Sequence, residues 1–293
     1  MTTTPDVIEV DDTTMAAALG VRPCDLAALR SVADASRPEP DAAPLRVQDL
    51  IHSRLRSAAC DDMIDPRKLL TARPHPVERS VAGLPLIDLP EPVPLPEIPL
   101  GEVIERRHSS TTHSSEPLPL ATLAGLLDGA AGVRDRRYAY NTRNFPFRRA
   151  PSAGGLAPVD IFVVSNAVDG LPQGLYYYRP STSQLATVDT GVMRSKLVEL
   201  GIAADWLFYA PVVLMLGISM PRVAWKYGAR SYRYVHVDLG VLTQNLYLVG
   251  TALGLSTCAV AAFDDDAANE LTRLDGRDEF VSLMFACGKP SGG

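Results

Sequence analysis

The chain has 293 residues, 46% of them hydrophobic and 21% charged, with a formal net charge of −6 and a pI near 5.4. That length carries one large domain or two small ones around an ample core, and it offers no excess of cation to track a phosphate backbone, so nucleic acid is not expected as a partner. The start, MTTTPDVIEVDDTT, lacks the basic then apolar order of a signal peptide, and the longest apolar run, APVVLMLGISMP, is too short to span a bilayer; a cytoplasmic protein with no membrane partner is expected.

In chain order, residues 1–45 read as an extension with helical spacing in MAAALGV and CDLAALRSVA. An arm over 46–100 follows, helical in LRVQDLIHSRLRSA and then proline-rich in LPLIDLPEPVPLPEIPL. Proline at every second or third position forbids helix and central strand, so this piece is expected to be an extended strap. Its Leu and Ile content implies that it lies against protein, its own or a partner's. From residue 101 the pattern is mixed. LPLATLAGLLDGAAGV predicts an amphipathic helix entered through proline and ended by Gly132. VDIFVVSNAVDGLPQGLYYYRP predicts a hairpin about a D-G turn, SKLVELGIAADWLFYA a helix, and APVVLMLGISM a buried strand. VHVDLGVLTQNLYLVGTALGL predicts a long central helix, apolar nearly all round, and EFVSLMFACGKP a closing strand that runs into a glycine turn. Together these give an α+β sandwich. Cys24, Cys60, Cys258 and Cys287 are scattered without a C-x-x-C pair, so no metal site or disulfide framework is indicated.

Four stretches can carry chemistry. In ERRHSSTTH, the cations and hydroxyls of Arg107, His108, Ser109 and Thr111 suit a phosphate, although Ser and Thr runs also cap helices. In RRAPSAGGLAP, the small residues Pro151, Ser152, Ala153, Gly154 and Gly155 let a backbone approach a flat or anionic ligand, and a plain tight turn explains them nearly as well. In CGKP, Gly288 and Lys289 end a strand as a further phosphate contact. In AWKYGARSYRYVHVDLG, Lys226 and Tyr227 sit among Arg222, Arg230 and Arg233, and alone they read as a solvated basic loop.

In combination these stretches resemble the nitroreductase superfamily of flavin enzymes: RHSST its phosphate motif, PSAGGLAPVDIFVV its P-S loop and strand, QNLYLVGTALGLSTCAVAAFDD its central helix and flavin-facing segment. Within it the chain is most similar to the SagB/ThcOx-type azoline dehydrogenases, through GLPQGLYYYRP, DLIHSRLRS, GLPLIDLPEP and WKYGARSYRYVHVDLG. The resemblance covers most of residues 45 to 290 and implies an FMN-binding domain over 101–293, with a mixed or antiparallel sheet and a domain-swapped homodimer carrying FMN between its subunits. It implies a cofactor site of Arg107, His108, Ser109, Thr111, Pro151, Ser152, Ala153, Gly154, Gly155, Gln244, Val260, Ala261, Ala262, Gly288 and Lys289. Thr111 stands where the family usually has a second basic residue. It also makes Lys226 and Tyr227 the catalytic pair of an oxidase that aromatises thiazoline or oxazoline rings in a modified peptide, with a cyclodehydratase supplying the ring and oxygen reoxidising the flavin. Neighbouring arginines and burial are expected to lower the Lys226 pKa towards that of a usable base. His108, His113 and His236 rival it, and lone histidines are more often structural. Two other readings stay open: an NAD(P)H-dependent nitro or quinone reductase, and a flavin-binding or flavin-free scaffold of a peptide-modifying complex.

Overall fold

The computed structural model describes residues 74–202 and 204–291, all within the compact unit Asp61–Gly293. The helices expected before residue 74, and with them Cys24 and Cys60, lie outside the described residues. The strap contains β1 (Leu86–Asp88), and α1 (Leu100–Arg106) ends it. There follow β2 (Leu118–Pro119), α2 (Leu120–Ala131) and a hairpin of β3 (Val133–Ala139) and β4 (Thr142–Arg148). Next come β5 (Val159–Ser165), β6 (Val168–Asp169), β7 (Gly174–Arg179), β8 (Gln184–Thr190) and α3 (Arg194–Leu200). The chain closes with β9 (Val212–Ser219), α4 (Pro221–Tyr227), α5 (Ser231–Ala252), β10 (Ser256–Val260), α6 (Asp265–Thr272) and β11 (Glu279–Gly288).

Seven strands form one sheet in the order β1-β8-β7-β5-β9-β11-β10. Every neighbouring pair in it is antiparallel. Side chains of a strand alternate between faces, and both faces are covered here. Val163, Leu214 and Leu216 join the core under α2 and α5 with Leu126, Leu127, Leu242 and Leu246. Phe162, Val164, Val213 and Met215 join the opposite core with Leu197, Leu200 and Ala268 of α3 and α6. β9, third from one edge and apolar on both faces, is buried along its whole length, which is why it reads as an unbroken hydrophobic run.

The α+β sandwich, the Gly132 stop, the β5–β7 hairpin and the closing strand are as expected. The strap is extended and lies along its own chain: Val93 N–H donates to Ala121 O at 3.1 Å, and a side chain at Gly125 would strike Val93 O at 2.8 Å. Its strand β1 is the edge of the sheet, the one place where flanking prolines remove no needed donor. Two expectations are corrected, and one element was not foreseen. The helix over SKLVELGIAADWLFYA breaks after Leu200, leaving a 3₁₀ turn at Asp205–Tyr209. α5 is amphipathic rather than buried all round. Val235, Asp238, Leu239, Leu242, Leu246 and Val249 face the core at helical spacing, whereas Val237 is 57% exposed. The hairpin β3–β4 has no counterpart in the expectations. Its turn residues Tyr140 and Asn141 both take positive φ, 49° and 54°, the conformation of a tight two-residue hairpin loop.

Candidate active site

Two groups of the expected site residues stand on this frame. The first is built around α4. Met220 leads into Pro221 at the first helical position, and the seven-residue helix ends at Tyr227, where Gly228 turns the chain with φ 53°. That short helix is fastened from below. The Arg222 guanidinium meets Asp160 of β5 in a bidentate pair, both contacts 2.8 Å, with both side chains almost fully buried. Tyr177 O–H donates to the same carboxylate at 3.0 Å, and Arg222 also donates to Pro76 O and Ala157 O. Arg222 is therefore committed to Asp160, and Arg233 is exposed.

Lys226 and Tyr227 project toward the loop Pro151–Gly155, whose 3₁₀ turn places Gly154 and Gly155 at positive φ, 62° and 70°. A side-chain carbon at Gly154 would lie 2.8 Å from the Tyr140 hydroxyl, 2.8 Å from the Tyr227 hydroxyl and 3.0 Å from Lys226 Nζ. Three polar tips thus converge above one glycine. Lys226 Nζ donates to the Tyr140 oxygen at 2.8 Å, and Tyr140 O–H donates to Gly154 O at 2.6 Å. The surroundings are aromatic. Tyr140 packs edge-on against Phe145 and Trp225, and Tyr227 against Tyr234, with centroids 5.0–5.7 Å apart. Gly155 must be a glycine because Phe147 occupies the space a side chain would need, 2.6 Å away.

The expected fall in the Lys226 pKa is not what the structure gives. Burial would depress it, but hydrogen bonds to Tyr140 and Tyr227 and the oxygens of those phenols outweigh that and hold the ammonium above its ordinary range. Of the arginines expected to repel the charge, Arg222 is neutralised by Asp160, Arg233 is exposed, and neither they nor Arg230 sets the direction of the shift.

Beneath the loop, both Asp238 oxygens accept from Ala153 N–H, at 3.0 and 2.9 Å, so α5 fixes the loop through one carboxylate. Asp238 is 6% exposed, and burial pushes its carboxyl up to about 6, partly offset by the Ala153 amide. A carboxyl whose folded pKa exceeds the unfolded value makes the native state the better proton binder. Its contribution is most favourable below about pH 4, declines as pH rises to about 6, and is flat above. Asp238→Asn keeps an acceptor for Ala153 without the charge. Urea unfolding should show the stability difference between the two proteins moving in favour of the Asn variant by about 2 kcal/mol between pH 4 and pH 7. A pH-independent difference would show that the buried charge is not felt.

The second group lies further along α5. Arg107 sits over the Tyr247 ring at 5.5 Å, Ser109 Oγ is 3.0 Å from the Tyr247 hydroxyl, and that hydroxyl accepts from Ala259 N–H at 2.8 Å. The segment is pinned to β10 and to the residue after β11 through Ser110 N–H to Thr257 O and Ser114 N–H to Lys289 O, each 2.9 Å. Asp238 and Tyr247 are nine residues apart on one helix, about 13.5 Å along its axis. Among the described residues the Arg107 guanidinium has no acidic partner. Lys289 is paired with Glu116 at 2.7 Å, an exposed contact that water weakens and a stronger anion can displace. Gly288 is small for another reason: a side chain there would overlap Pro211 at 2.5 Å. Thr111, His108, Gln244, Ala261 and Ala262 are exposed, and Val260 is buried. His108 and His236 bond to backbone carbonyls of Arg106 and Tyr232, as structural histidines do. His113 has neither ring nitrogen bonded.

Tyr140 and Asp238 are the residues that sequence reasoning missed. Tyr140 had a signal in YAYNTRNF, aromatic residues alternating about an Asn turn. Asp238 had one as the single carboxylate on the apolar face of α5.

Residues 104–289 match the family described as the nitroreductase family. A protein of Methanocaldococcus jannaschii named as a nitroreductase is 32% identical over 203 residues, 69% of this chain and 96% of its own. The chain belongs to the nitroreductase family. Membership implies an oxidoreductase. Two further relatives are named as processing proteins. The trifolitoxin-processing protein of Rhizobium leguminosarum bv. trifolii is 25% identical, over 73% of this chain and 59% of its own. The microcin B17-processing protein of Escherichia coli is 28% identical, over 44% of this chain and 50% of its own. The chain thus spans little more than half the length of these two. A nitroreductase-family structure from Anabaena variabilis superposes with TM-score 0.61 at 26% identity, covering 73% of this chain and 43% of its own. A chain of the E. coli microcin synthetase complex with bound truncated precursor shares the fold with TM-score 0.57 at 19% identity, covering 88% of this chain and all of its own. Among the described residues, no helix is long and apolar enough to cross a membrane.

Proposed function

We propose that this protein is an FMN-dependent dehydrogenase that aromatises thiazoline or oxazoline rings in a modified peptide. The observation that carries the proposal is the convergence of Lys226 Nζ and the Tyr227 and Tyr140 hydroxyls above Gly154, inside an aromatic surround that suits a flat ring. The kinship with two peptide-processing proteins supports the substrate class.

FMN, when bound, supplies the two-electron acceptor. Arg107 and Ser109 would hold its phosphate, with Lys289 once released from Glu116, and the backbone of Gly154 and Gly155 would admit its ring. Lys226 takes the proton from the ring carbon and Tyr227 orients the heterocycle. To act, Lys226 must first be neutral, so the rate rises with pH through its raised pKa; a substrate that excludes water favours the neutral amine further. The working form is a homodimer with FMN between subunits, alongside a cyclodehydratase that makes the ring.

The cofactor assignment is tested by titration. The protein should bind FMN, and Arg107→Ala should raise its dissociation constant by about 10- to 100-fold, the worth of one charge-assisted contact. Unchanged affinity would remove Arg107 from the site. The kinship with the M. jannaschii nitroreductase favours a second reading, a general NAD(P)H-dependent reductase. In that case both Lys226→Ala and Tyr227→Phe retain NAD(P)H-driven activity.

A further inference from the structure

We propose that the Tyr140 hydroxyl, carried in on the β3–β4 turn, is a positioning group that fixes which part of the Lys226 amine meets the substrate. The inference rests on Lys226 being the base of the reaction proposed above.

A phenol has one proton to give. That of Tyr140 is committed to Gly154 O at 2.6 Å, because a carbonyl can only accept. Toward Lys226, Tyr140 is therefore an acceptor only, and the amine must donate to it across their 2.8 Å contact. A neutral Lys226 that keeps this donation has its electron pair excluded from Tyr140 and left for the substrate carbon. Were the Tyr140 proton free, it could instead bond to that pair and block the base. Among the described residues no carbonyl takes the Tyr227 proton, so the two phenols divide the work. Tyr140 spends its proton on Gly154 and holds the lysine through its oxygen; Tyr227 also bonds the lysine but keeps its proton for the ring.

The geometry is held without help from the substrate. Tyr140 occupies the first turn position with φ 49°, and its ring is clamped by Phe145 at 5.3 Å and Trp225 at 5.7 Å. Trp225 is itself tied back to Arg222 O by its indole N–H at 2.9 Å. The titratable groups against Lys226 are Tyr140 from the hairpin and Tyr227 from its own helix. Tyr234 backs Tyr227, Asp238 lies beneath the loop on Ala153, and Arg222 is neutralised by Asp160. Because the Tyr140 oxygen stabilises the ammonium, removing it lowers the lysine pKa.

Tyr140→Phe keeps the ring and its two clamps and removes only the hydroxyl. With azoline peptide it should lower the limiting kcat at the alkaline end of the pH–rate profile by about 10-fold at little cost in KM, the scale of one lost positioning hydrogen bond. The acid limb of its pH–rate profile should shift to lower pH by about half a unit to one unit. The second readout needs neither substrate nor cofactor. The pH dependence of Lys226 labelling by an amine-reactive reagent, followed by peptide mass spectrometry, should shift the same way in Tyr140→Phe. Tyr140→Trp, bulky but unable to accept, should behave like the Phe variant in both. A rate that falls with labelling pKa and acid limb unmoved would overturn the proposal and leave Tyr140 a packing residue. If the wild type oxidises no azoline but the labelling shift is present, the proposed reaction fails while the Tyr140–Lys226 linkage stands. If the labelling shift is absent, the linkage itself is wrong.

Discussion

Lys226→Ala should leave the fold and the flavin colour intact and lower azoline oxidation by about 10²- to 10⁴-fold, the usual cost of losing a general base, about 3 to 5 kcal/mol at the transition state. Colour should survive because Lys226 stands at the Gly154 end of the site, whereas Arg107 and Ser109 gather about Tyr247, further along α5. The α4 helix should survive because Lys226 is not what seats it: the Arg222 pair with Asp160 of β5 does that. Tyr227→Phe should cost less, since its hydroxyl only orients the ring. The double variant should lose no more than Lys226→Ala alone, because groups that serve one step share its cost. Equal rates in wild type and Lys226→Ala would return Lys226 to an ordinary basic side chain.

The largest effect on stability is expected at Arg222. Arg222→Leu removes one partner of a buried bidentate pair and leaves Asp160 charged, with side-chain exposure of only 6%. Breaking a buried pair from one side typically costs about 3 to 5 kcal/mol, because the surviving charge keeps its desolvation penalty without its partner. Replacing both members is a different case: Arg222→Leu with Asp160→Leu removes the charge as well as the attraction. The double variant should recover much of the loss, measured by urea unfolding at pH 7. If the single variant lost less than about 1 kcal/mol, the pair would not be what seats α4. The same pair bears on chemistry, since it keeps a positive charge beside Lys226 silent.

The layers of this fold were legible in the residues because each buried element had to hide a face. The unbroken apolar run of Val212–Ser219 marked a strand covered on both sides, and Gly132 marked the end of α2. α5 was harder. Tyr232 and Val237 look like core in a one-dimensional pattern, and only its placement on the sheet shows that they face outward. The helix expected through Ala210 stops at Gly201, whose ψ of 122° takes the backbone out of helical geometry. At the candidate site, Lys226 and Tyr227 could be named only from the resemblance, and the glycine loop from its small residues together with the resemblance. The partners that set their chemistry could not. Arg222 looked like a neighbour of Lys226 until β5 supplied Asp160, 62 residues earlier in the chain. Tyr140 is 86 residues from the lysine it bonds. Contacts across such separations follow from sheet order and turn geometry, which local pattern does not encode.

The central claim is that the reducing equivalents come from a heterocycle in a peptide, and anaerobic mixing tests it most directly. FMN-loaded protein and a thiazoline-containing peptide should be combined without NAD(P)H, with flavin absorbance followed in time and peptide mass at the end. The account predicts bleaching of the flavin in proportion to ring added, loss of two hydrogens per ring, and neither in Lys226→Ala on the same timescale. A flavin that stays oxidised with the thiazoline peptide yet bleaches promptly with NAD(P)H would contradict it and make the protein a general reductase.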